Sequence, residues 1–148
     1  MLTSPKLRRF AKHALVAATG MANPNRAQIA SAFNLLCEQL QARLRPLFGA
    51  TAINALFARA LHLATVEFPW LAHMVPKDGE RCFLEAPEAA SGALQPTSIA
   101  EGLAAVLAHD IGLLTTFIGE DFVMPLVQAA WGATLLSEQT ARSEGEHE

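Results

Sequence analysis

Helix, glycine, helix is written twice in this chain: Leu44, Phe48, Gly49, Thr51, Ile53, Leu56 and Ala60 recur seventy positions later as Leu114, Ile118, Gly119, Asp121, Val123, Leu126 and Ala130. Glycine closes a helix in a backbone conformation that costs other residues dearly. A hydroxyl or carboxylate just beyond it can accept the orphan amides that open the next helix. Apolar residues spaced by three and four on either side give each helix one inward stripe. The repeat therefore predicts two similar helical hairpins packed on each other.

The rest of the chain extends that pattern. Residues 5–19 read as a basic amphipathic helix with Leu7, Phe10, Ala14 and Leu15 on one side, ending near Gly20. Asn23 ahead of Pro24 signals the start of a helix that runs to about Phe48. It carries Ile29, Phe33, Leu36, Leu40, Leu44 and Leu47 inward, with Pro46 in its last turn. Thr51 is expected to cap the next helix, whose inward residues are Ile53, Leu56, Phe57, Ala60 and Ala64, until Pro69 stops it. Ser98 and Glu101 have the spacing of a capping box and open a stripe of Leu103, Val106, Leu113, Leu114 and Phe117. Asp121 caps a final helix reaching to about Ser137.

The expected fold is all-α: an up-and-down four-helix bundle of two pseudo-repeated helical hairpins, with an extra N-terminal helix and a long irregular crossover. The organisation is a basic helix or arm over 1–22, the bundle over 23–137 and a polar tail over 138–148. The crossover, 69–96, holds Pro69, Pro76, Pro87 and Pro96, and its Trp70, Phe83 and Leu84 are expected to cover the open end of the core.

Composition excludes more functions than it suggests. With 148 residues, 51% of them hydrophobic, the chain can build a core without disulfides or a structural metal. A net charge of -3 gives no general attraction for nucleic acid, although Lys6, Arg8, Arg9 and Lys12 crowd one end and Glu144, Glu146 and Glu148 the other. Cys37 and Cys82 lack any paired spacing, which favours thiols in a reducing compartment and hence the cytoplasm. No stable membrane insertion is expected, because Arg59 with His62 and His109 with Asp110 interrupt the two long apolar stretches. The basic start also fits the template of a cleaved signal poorly. No metal site or cofactor is expected: His62, His73 and His109 show no i,i+4 pairing, and there is no Glu-x-x-His or phosphate-cradling glycine loop. Nothing has the form of a serine or cysteine nucleophile with its base.

Two features do invite function. Asp110 falls in the middle of an apolar stripe, at the repeat position of Leu40, and a buried carboxylate needs a partner; Arg43 is the first choice. The last helix is apolar on two sides, with Phe122, Leu126, Ala129, Ala133 and Leu136 on one and Met124, Trp131 and Leu135 on the other. The second face, Met124, Trp131 and Leu135, is the expected interaction surface for a second copy or a protein partner.

The run Ala108, His109, Asp110, Ile111 resembles the beginning of the phosphoacceptor box of sensor histidine kinases. That resemblance implies His109 as phosphoacceptor and Asp110 as its helper. Gly112 departs from the basic residue usual there, and the following proline is absent. His62 is a second acceptor by placement alone, since Leu63, Ala64, Thr65 and Val66 replace the lysine and glycine of phosphotransfer domains. The function expected is thus a non-catalytic regulatory or protein-interaction module acting as a homodimer. The alternatives are histidine phosphotransfer through His109 or His62, and a sensor of an apolar small molecule bound between the helices.

Overall fold

A computed structural model of the chain describes residues 5–20, 23–73 and 95–132, and every regular element among them is helical. In order these are α1 (Pro5–Thr19), α2 (Arg26–Phe48), α3 (Ala50–Glu67), a short 3-10 turn (Pro69–His73) and α4 (Pro96–Ile118). A fifth helix, α5, covers 120–132. Phe83 and Leu84 of the crossover, Leu135 and the tail from 138 lie outside the described residues.

The helix starts differ from the sequence expectation in an instructive way. Asn25, not Asn23, caps α2: its side chain accepts from the Gln28 amide while the Gln28 side chain accepts from the Asn25 amide, each at 2.8 Å. The reciprocal pair satisfies two orphan donors where Asn23 offered one. At α4 the Ser98 and Glu101 box is not used. Pro96, which needs no amide partner, opens the helix after Gln95, and the Glu101 carboxylate is engaged instead by Lys12 of α1. Thr51 and Asp121 fall inside the first turns of α3 and α5, and Gly49 itself is the cap residue of α3.

Gly49 and Gly119 have φ values of 83° and 111°, a region costly for any other residue. Each donates its amide to the carbonyl four residues back, Arg45 at 2.8 Å and Thr115 at 3.0 Å. Each then offers its own carbonyl four residues forward, to Ile53 and Val123. One residue thus closes one helix and opens the next, which forces α2–α3 and α4–α5 into tight turns.

α4 is the centre of the molecule. Its residues from Ile99 to Leu114 are all buried except Glu101, His109 and Asp110 included, and it packs against α1, α2 and α3. A helix apolar on every side must be enclosed on every side. By length and composition α4 would also suffice to cross a membrane, contrary to the expectation from His109 and Asp110, whose two polar side chains barely dilute so many aliphatic ones. Here the other helices supply the apolar surroundings.

Leu47, Phe117 and Phe122, each assigned to a core stripe by spacing, are instead 52%, 72% and 49% exposed. They sit beside the two glycine turns, where Phe122 meets only the edge of Phe48 and Phe117 borders open space next to α3. In α5 the buried line is Val123, Val127 and Trp131.

Trp70, in the 3-10 turn, presents the Cζ2 edge of its indole to α4 at Gly102. A Cβ built there would come within 2.4 Å of the indole. Gly102→Val should therefore expel Trp70 and cost about 1–3 kcal/mol. The measurement is urea denaturation; a variant of unchanged midpoint and unchanged Trp70 emission would show that the indole moves aside freely.

Candidate functional site

Three elements bring charge together at the upper flank of α4. Glu67, at the last turn of α3, accepts a hydrogen bond from the Arg8 guanidinium of α1 and lies 2.9 Å from His109 Nε2. The Arg8 bond is the main cause holding the Glu67 carboxyl below its ordinary value, with His109 adding to it against a partial desolvation penalty. An ionised carboxylate only accepts, so Nε2 carries the proton in this pair. His109 is 7% exposed, and its Nδ1 is buried with no partner among the described residues.

Asp110, the next residue, is buried with 9% exposure and makes no ion pair or hydrogen bond among the described residues. Burial alone pushes its carboxyl up to about 7. The pairing expected with Arg43 is not formed, because Arg43 lies on the exposed side of α2. The helical wheel placed Arg43 at the edge of its stripe, and an edge position with water available keeps a guanidinium solvated.

Of the face expected to receive a partner, Met124 and Trp131 are described and Leu135 lies outside the described residues. Trp131 is fully buried, stacked on Phe10 of α1 with ring centroids 5.9 Å apart, and its Nε1–H donates to the Leu36 carbonyl of α2 at 2.9 Å. Met124 is half-buried against the same core. Phe10 of the N-terminal helix thus covers Trp131 within the chain. Of the two histidines weighed as phosphoacceptors, His62 is exposed on α3 and His109 is buried against Glu67. No group of three or more His, Cys, Asp or Glu among the described residues could hold a metal ion.

An unexpected feature opens at the other end. A groove of about 680 Å³ runs between α3 and α4 beside the glycine turns. α3 contributes Ala52, Ala55 and Leu56 to it, α4 contributes Leu113 and Phe117, and Phe48 closes its end. Phe48 is itself fixed edge-on against Phe122 at 6.2 Å, so that end is built from both hairpins. The groove exists because Ala52 and Ala55, one turn apart, are too small to fill the space opposite Leu113 and Phe117. Its lining hydroxyl, Thr116, is back-bonded to the Gly112 carbonyl at 2.8 Å. Arg59 is its one charged lining residue. The signal was in the sequence: Ala52, Ala55 and Arg59 share a face of α3 at i, i+3 and i+7, beside the inward stripe and meeting it at Leu56.

The groove's volume falls within the roughly 300–1,000 Å³ of small-molecule sites, and the groove is open, with Ala52, Ala55, Arg59, Thr116 and Phe117 all exposed along it. The cluster around Asp110 has different chemistry: a carboxyl that gains or loses its proton near neutrality, with too little exposure to touch a substrate. No protein-family model, curated protein or solved structure matches the chain.

Proposed function

We propose that this chain is a non-catalytic regulatory module that holds an apolar small molecule in the groove between α3 and α4. The observation that carries the reading is the groove's size and lining, with Phe117 72% exposed at its mouth. An aromatic ring so placed gains by being covered, at about 25 cal/mol for each Å² removed from water. The accompanying architecture is a four-helix bundle of two pseudo-repeated hairpins, α2–α3 and α4–α5, with α1 laid across it. Matching closures at Gly49 and Gly119 support it, as do the buried repeat pairs Ile53 with Val123 and Phe57 with Val127.

Titration with the neutral solvatochromic dye Nile red tests the reading. Saturable binding of one dye per chain is expected, and Ala55→Trp, which fills the groove from an exposed position, should abolish it while leaving the helical circular dichroism intact. Binding that survives Ala55→Trp would move the ligand elsewhere and end the proposal.

A second reading, a homodimer, draws on the exposure of Leu47, Phe117 and Phe122 together at one end. It predicts a doubled mass in light scattering that Phe117→Asp returns to that of one chain. The phosphotransfer reading has less support, since the histidine within the resembling motif, His109, is buried and its Nε2 is engaged by Glu67.

A further inference from the structure

We infer that the ligand of the α3–α4 groove is a long-chain monocarboxylate whose headgroup is taken by Arg59. This rests on the groove being a small-molecule site and adds the chemistry of the ligand's polar end. Three observations converge on it. Arg59 is the charged residue on the lining, and it is exposed, with no ion pair or hydrogen bond among the described residues. The Thr116 hydroxyl donates to a backbone carbonyl, which leaves the guanidinium as the strong donor at the groove. Apart from Thr116, the other lining side chains, among them Ala52, Ala55, Leu113, Phe117 and Phe48, are apolar, which suits an alkyl body beside the Arg59 charge.

An occupant matching this pattern has one anionic end and an alkyl body. Guanidinium and carboxylate meet in a planar two-point geometry, which a neutral alcohol cannot reproduce. A cationic or zwitterionic amphiphile would set a positive charge against Arg59. A bulky polyanion would leave most of its charge beside apolar walls.

Displacement of Nile red by laurate and by dodecanol, both below their aggregation limits, separates the headgroup from the chain. The wild type should prefer laurate, and Arg59→Glu should shift the laurate-to-dodecanol ratio by about fivefold or more, a modest change suited to an exposed ion pair. Arg59→Lys should keep part of the preference, and because Arg59 is exposed both variants should fold. An unchanged ratio in Arg59→Glu, with dye binding intact, overturns the carboxylate inference and spares the groove as a small-molecule site. Absence of saturable dye binding in the wild type overturns both. A wild type of doubled mass that excludes the dye assigns the groove to a second copy and likewise overturns the inference.

Discussion

Replacing Asp110 by asparagine should make the protein more stable at pH 8 by about 2–4 kcal/mol and leave it nearly unchanged at pH 4. The native carboxyl is pushed up to about 7 from an ordinary 3.8 by burial. Between those values the folded chain keeps a proton that the unfolded chain has released, so raising the pH draws the equilibrium toward unfolding. Wild-type stability should therefore decline from about pH 4 to pH 7 and then level off. Asparagine, which never ionises, removes that decline. Glu67 works in the opposite sense and in a lower range. Its carboxyl is held below 4.5, chiefly by Arg8, so its contribution is present above that value and fades as the pH falls through its native one. With its side chain 39% exposed, that effect is the smaller of the two. Urea midpoints from pH 4 to pH 9 for wild type and Asp110→Asn decide the matter. A flat wild-type profile would mean that Asp110 has found a counter-charge.

Trp131→Ala should cost about 3–5 kcal/mol, a large share of the roughly 5–15 kcal/mol that holds a domain of this kind together. The indole is fully buried, stacked on Phe10 and bonded to the Leu36 carbonyl, so its removal detaches α5 from α1 and α2 at once. Trp131→Phe keeps most of the packing and loses the hydrogen bond, for about 1 kcal/mol. Light scattering on the folded fraction should give the same mass for wild type and both variants. A mass that halves in Trp131→Ala, with stability little altered, would restore this residue to an interface between chains.

The sequence revealed angles around helices better than heights along them. Periodicity placed Leu36, Leu40 and Leu103 inward, and they are buried. The same periodicity placed Leu47, Phe117 and Phe122 inward, yet beside the glycine turns they are only partly covered. For α5, with apolar residues on nearly every side, spacing alone could not select a face. The repeat could have, since Ile53 and Phe57 correspond to Val123 and Val127, and all four are buried. Asp110 was legible as a misplaced charge because one carboxylate stands out among leucines. Its lack of a partner among the described residues was not, because ion pairing depends on where distant side chains stop. The groove escaped notice for a related reason: small residues on a solvated face leave no mark on an apolar moment, and the space above them appears only once a second helix is alongside.

The central position of α4 has a consequence for the order in which the protein is made. Synthesis proceeds at about 5–20 residues per second from the N-terminus, and domains fold largely as units. α1, α2 and α3 therefore emerge first, each with a face that finds its cover only after residue 118 has been added. Until then the nascent chain carries its future interior on the outside. A chain interrupted before α4 is complete keeps only the packing of α1 on α2 and of α2 on α3, and shows the quality-control machinery the apolar faces that α4 would have covered.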